Sequence, residues 1–162
     1  MPKHPQCQCH EIITLFDGLF AESHNTRLLC ALCDGRYGEL DEPVYEPANA
    51  QRSCHRIVFA HGYFASALHE ISHWCVAGLE RRLLEDFGYW YRPDGRSQQQ
   101  QTAFEMVEVK PQALEWLFSM ASRRVFVASA DNLAFEETDD LAFRLAVSAQ
   151  ARAYLTHGLP PQ

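Results

Sequence analysis

The sequence predicts an α+β fold, a small sheet packed with helices in a single domain spanning residues 1–162. Three observations predict it. The stretch "RIVFA", residues 56–60, is β-branched and aromatic and short enough to be a buried strand. Segments near both ends of the chain repeat apolar residues at the helical period. With 47% of its 162 residues hydrophobic, the chain can close one core, and no repeat or linker divides it.

The elements follow in order. "CHEIITLFDGLF" carries apolar residues at 12, 13, 16, 19 and 20 and reads as a helix. "LLCALC" then reads as an apolar helix or strand segment, and "DGRYGELDEPVYEPANAQRS" as a loop rich in Gly, Pro and acids. After the strand at 56–60, His61-Gly62 turns the chain into a helix from Tyr63 to Ala77, with Gly78 as its stop. "FGYWYRPDGRS", 87–97, reads as an aromatic strand running into a Pro-Asp-Gly turn, and "QQQQT" as a polar connector. "FEMVEVKPQALEWLFSMASR" contains a helix with Pro111 in its first turn or at a kink. "RRVFVASADNLAF" offers a short strand and loop. "DDLAFRLAVSAQARAYLTHG" is an amphipathic helix with acids at its start and Gly158 at its end.

Composition excludes some functions. The formal net charge is -7, from 21 acidic and 14 basic residues. Arg81-Arg82 and Arg123-Arg124 are isolated pairs rather than a basic stripe, so a nucleic-acid partner is not expected. No apolar run approaches the roughly 18 residues that span a bilayer, and the N-terminus lacks the apolar core of a signal peptide. A cytoplasmic protein without a membrane partner is the expectation. Cysteines stand at 7, 9, 30, 33, 54 and 75. Cys7-x-Cys9 with Cys30-x-x-Cys33 is one way to build a tetrahedral zinc site, but the first pair is tighter than ordinary ligand spacing. Small buried thiols are the plainer reading, and Cys75 is expected in the core.

The chemistry concentrates in "ALHEISHWCVAG", residues 67–78. On a helix, positions i and i+4 share a face, so His69 and His73 can offer imidazole nitrogens to one ion. No histidine follows His73 at the spacing that would add a third. Glu108, 35 residues further and just before the helix expected at 111, is the candidate third ligand, with Glu105 its nearest competitor. Two histidines and one carboxylate leave positions open on the ion, a catalytic arrangement. The same set serves zinc hydrolases, peptidase or nuclease, in which Glu70 acts on the bound water, and also non-haem iron oxygenases. Spacing does not separate them. A non-enzymatic protein with structural histidines is the third alternative.

Three blocks in order, "RIVFAHGYFASALHEISHWCVAG", "DFGYWYRPDGR" and "FEMVEVKPQALEWLF", together resemble the bacterial elongation factor P hydroxylase family, from about residue 10 to the C-terminus. The resemblance implies a fold similar to a metal-dependent endoribonuclease of ribosomal RNA maturation. It implies hydroxylation of the elongation factor P lysine after a β-lysyl group has been added. It implies Fe(II), with zinc or cobalt as other possible occupants, O2 as co-substrate, and His69, His73 and Glu108 as ligands, with Glu70 an acid/base group or a support behind them. A β-lysylated lysine is long and carries ammonium groups, so its channel is expected to be acidic and aromatic-walled. Glu105, Tyr89, Asp94 and His61 are the substrate-binding candidates, with Asp86, Trp90 and Tyr91 nearby. No arginine-plus-pocket signature for 2-oxoglutarate accompanies them. Two departures from the family pattern stand out. "CALCDGRYGELDEP" is longer and richer in cysteine than expected, so Cys30 and Cys33 inherit no role. The sequence stops at "THGLPPQ", where the family is expected to continue. Nothing in the exposed pattern demands a dimer.

Overall fold

A computed structural model of the chain describes residues 9–38, 40–89, 95–130 and 140–162. They fall into two compact units, Met1–Gly88 and Tyr89–Gln162. In the first unit the expected strand becomes the centre of a three-stranded sheet. β1 is Thr26–Cys30, β2 is Val44–Glu46 and β3 is His55–Phe59. The order is β1-β3-β2. β1 runs parallel to β3, with Leu28 opposite Ile57, and β2 runs antiparallel to it, with Tyr45 opposite Ile57. Ile57, Val58 and Phe59 are all buried, as a central strand covered on both faces requires.

The first half of "LLCALC", residues 28–30, resolves as strand and the second half as a turn. Thr26, Leu28 and Cys30 alternate inward, and Cys30 ends β1 in a turn where its carbonyl accepts the Cys33 and Asp34 amides. The stretch read as loop between 34 and 53 carries the short strand β2, which the Gly, Pro and acid content concealed. Three residues suffice because Tyr45 secures them: it is 2% exposed, its hydroxyl donates to the Arg82 carbonyl at 2.8 Å, and its ring stacks on Phe87 at 4.2 Å.

α1, His10–Phe20, forms where its periodicity predicts. Phe16 and Phe20 pack on Trp74, with ring centroids 5.3 and 4.9 Å away. α2, Phe64–Arg81, follows β3 through a turn in which His61 and Gly62 both have positive φ, 57° and 66°. A Cβ at Gly62 would also lie 3.2 Å from the Leu32 side chain, so glycine is needed there for space as well as conformation. Gly78 interrupts α2 at φ 73°, ψ 172°, as its reading as a stop anticipates, and one further turn follows it. Arg82 folds that turn back, its guanidinium 3.7 Å from the Trp74 ring centre and its Nε donating to the Trp74 carbonyl at 3.0 Å. Cys75 is core, and burial pushes its thiol up to about 12.

The aromatic strand expected from residue 87 does not form in its described part, a correction. Glu85–Gly88 form a 3-10 turn in which Asp86, Phe87 and Gly88 all have positive φ. Two forces outweigh β propensity there. Phe87 is buried against Tyr45, and Asp86 Oδ1 accepts the Tyr45 backbone N–H at 2.8 Å, capping the edge of β2 with a side chain. Residues 90–94, with Trp90, Tyr91 and Asp94, lie outside the described residues.

The second unit holds α3, Gln98–Ala121, and α4, Asp140–His157, packed on each other. The "QQQQT" connector is another correction, since it is the first turns of α3. Ser97 and Gln100 close a capping box, the Ser97 side chain accepting from the Gln100 N–H at 3.2 Å and the Gln100 side chain accepting from the Ser97 N–H at 2.9 Å. Pro111 is consequently buried in the middle of α3 rather than in its first turn, and Glu108 lies within the helix rather than before it. α4 buries Phe143, Val147, Ala151 and Tyr154, the stripe its amphipathic pattern predicts.

The strand expected within "RRVFVASADNLAF" does not form in its described part. Residues 124–130 have no regular structure. They run back antiparallel along α3: Phe126 stacks on Trp116, Ser129 bonds Gln112, and Ala130 bonds Gln101. Side-chain amides of the helix take the place of a neighbouring strand. Among the described residues, no helix is long and apolar enough to cross a membrane.

Candidate functional site

α2 sets the histidine pair. Leu68, Ile71, Trp74 and Cys75 are buried and fix the rotation of the helix, leaving His69 and His73 half-buried one turn apart. Their Nε2 atoms stand 3.1 Å apart, with ring planes at 72°. Two nitrogens each about 2.1 Å from one ion, at angles between roughly 90° and 109°, stand about 3.0–3.4 Å apart. The pair therefore has the spacing of two ligands of a single metal. Glu70 is half-buried on the same helix, about 100° round the axis from His69.

In the second unit, Glu105 and Glu108 share one face of α3 with two glutamines. Positions 101, 105, 108 and 112 follow the helical repeat, and Gln101, Glu108 and Gln112 are each no more than 4% exposed. Gln101 Nε2 donates to Glu105 Oε1 at 2.9 Å, and Gln112 Nε2 donates to Glu108 Oε2 at 3.1 Å. A carboxylate as buried as Glu108 is retained only where hydrogen bonds or a cation compensate its lost hydration. Sequence reading missed both glutamines and Arg96. Arg96 is buried, lies 3.9 Å from the Phe104 ring centre and donates from Nε to Gln101 Oε1 at 3.0 Å. Gln101 was concealed in a run of four glutamines that reads as a linker. Gln112 was signalled only by its spacing of four from Glu108.

The remaining candidates are placed as follows. His61 sits exposed in the turn before α2, its Nε2 3.0 Å from the Asp41 carbonyl. Asp86 is engaged with the backbone of β2. Tyr89 is half-buried at the start of the second unit. Asp94 is outside the described residues. Within the first unit, then, the fold brings His69 and His73 together; within the second, it aligns Glu105 and Glu108.

Comparison with known proteins follows from the same residues. The family model of elongation factor P hydroxylases matches residues 15–162. A protein of Haemophilus influenzae named elongation factor P lysine hydroxylase is 51% identical over 150 residues, covering 93% of this chain and 80% of its own length. The matched residues include the histidine helix and the α3 block, and the chain belongs to the elongation factor P hydroxylase family.

Proposed function

We propose that this chain hydroxylates the lysine of elongation factor P that carries a β-lysyl group, using iron held by His69, His73 and Glu108. The observation that carries the reading is the 51% identity to an elongation factor P lysine hydroxylase across 93% of the chain. The ligand set is supported by the 3.1 Å spacing of the two Nε2 atoms and by the burial of the Glu108 carboxylate. The likeness to a metal-dependent endoribonuclease of ribosomal RNA maturation belongs to the same reading.

When bound, ferrous iron would supply the activation of dioxygen needed to insert one oxygen atom into a C–H bond, with a reductant providing two electrons and, with two protons, the second oxygen leaving as water. The protein's residues do the rest. The carboxylate would offset part of the ion's charge, and the set of two imidazoles and one carboxylate would leave positions open. Glu70, beside the pair, is suited to take up and release a proton. Glu105, whose carboxylate Gln101 orients, is suited to an ammonium group of the extended side chain, with Tyr89, Asp94 and His61 as further contacts. Such a substrate places the enzyme in the cytoplasm beside the translation machinery.

The test is the intact mass of β-lysylated elongation factor P after incubation with the chain, Fe(II), air and a reductant. A gain of one oxygen atom, absent with His69→Ala and Glu108→Ala, is expected. No gain with folded, iron-loaded protein overturns the reading. A zinc hydrolase would instead show a metal-dependent cleavage that Glu70→Gln abolishes with the metal retained.

A further inference from the structure

Resting on the reading of Glu108 as a metal ligand, we infer that Gln112 is a positioning residue, which fixes the carboxylate of Glu108 by way of the backbone at Ser129. The amide of Gln112 is fully committed. Its Nε2 donates to Glu108 Oε2 at 3.1 Å and to the Ser129 carbonyl at 2.7 Å, while its Oε1 accepts the Ser129 N–H at 3.0 Å. A flipped amide would set its oxygen against the Ser129 carbonyl and the Glu108 carboxylate, and its hydrogens against the Ser129 N–H. Only one orientation satisfies all three groups.

The backbone that imposes this orientation is itself held. Phe126 stacks on Trp116, with ring centroids 5.6 Å apart, and the Ala130 carbonyl accepts from Gln101 Nε2 at 2.9 Å. Residues 126–130 therefore form a template along α3 that sets the plane of the Gln112 amide, and the amide sets the carboxylate one turn earlier. A glutamate has three rotatable torsions, and a ligand must hold all of them in one geometry before the ion arrives. Groups behind a ligand commonly decide metal affinity in this way.

The same template provides an internal control. Gln101 is equally buried, is tied to the neighbouring residue Ala130, and donates to a carboxylate, but that carboxylate is Glu105. Removing the Gln101 amide loses one hold on Ala130, whose carbonyl Arg96 Nη2 also approaches at 3.4 Å, but leaves the bonds from Gln112 to Ser129 and Glu108 in place.

The experiment is titration of the metal-free full chain with Co(II) alone, followed by chelator competition and by the ligand-field absorption of the bound ion. Thermal unfolding verifies that each variant is folded. Gln112→Met is expected to weaken Co(II) binding about 10- to 100-fold and to alter the absorption bands, whereas Gln101→Met, which touches the template only at Ala130, has a much smaller effect on both. Gln112→Leu also removes the amide and adds no charge beside Glu108, so it gives the same readout should the methionine variant fail to fold. If Glu108→Ala weakens binding while both Gln112 variants bind as the parent does, the inference is overturned and the ligand reading stands. If Gln101→Met weakens binding in place of Gln112→Met, the ligand role moves to Glu105 and the inference falls. If Glu108→Ala binds as tightly as the parent, the ligand reading fails and the inference with it.

Discussion

Replacing His73 by alanine removes one of the two imidazoles whose Nε2 atoms stand 3.1 Å apart, and the consequence can be worked out before any activity is measured. An ion bound only by the folded chain stabilises it by RT ln(1 + [L]/Kd), about 2.7 kcal/mol when the metal is at 100 times its Kd. For a chain of 162 residues each kcal/mol moves the unfolding midpoint by about 2–4 °C, so the parent should gain about 5–11 °C on adding Fe(II) under anaerobic conditions. Loss of one ligand that weakens binding a hundredfold leaves about 0.4 kcal/mol at the same metal concentration, a shift of about 1–2 °C. Without metal the variant should unfold close to the parent, because His73 is only half-buried on the flank of α2. The assay is thermal unfolding followed by circular dichroism, with and without metal, for the parent and for His73→Ala. If the variant keeps the full metal-induced shift, the ion is held elsewhere, and the assignment of the pair is refuted.

Other expectations concern the fold around the site. Tyr45→Phe removes a buried 2.8 Å hydrogen bond to the Arg82 carbonyl and should cost about 1–2 kcal/mol in urea unfolding; an unchanged midpoint would show that the bond contributes nothing. Partial desolvation raises the Asp86 carboxyl above its ordinary value, though the residue keeps an exposed face. The stabilising contribution of its protonated form is present below the ordinary carboxylate range and lost as pH rises through the raised folded value. Asp86→Asn, which can still accept the Tyr45 N–H and tolerates φ 46°, should therefore be more stable than the parent near pH 7, with the advantage shrinking near pH 4. A less stable variant at neutral pH contradicts this. Ser97→Ala opens the capping box and should destabilise α3 by about 1 kcal/mol, seen as earlier loss of helical signal on heating; no change would mean that the cap is redundant.

Much of the site was legible from local pattern alone. A helix repeats every 3.6 residues whatever surrounds it, so His69-x-x-x-His73 shares a face once the segment is helical, and the apolar residues interleaved with the pair show which way the helix is buried. The β-branched run at 56–60, the periodic helices at both ends and the stops at Gly78 and Gly158 are local in the same sense. Family membership was legible too, because three separate blocks match in order. Contacts distant in sequence were not. The 3-10 turn at Glu85–Gly88 exists because Tyr45, some forty residues earlier, offers Phe87 a ring to stack on and Asp86 an amide to cap.

The same holds on α3. The glutamine run looks like a connector until Ser97 is seen to cap it and Arg96 and Ala130 are seen to bind Gln101. The absence of a strand at 124–130 follows because its hydrogen-bonding partners are amides of a helix, which no period in the segment itself records. The sequence by itself determined the chemistry on offer, two imidazoles on one helical face and acids on another segment, because periodicity is a property of neighbours in the chain. Tertiary structure decided how those groups are held, which amide orients Glu108 and which backbone orients that amide, because burial and long-range hydrogen bonds exist only once distant segments meet.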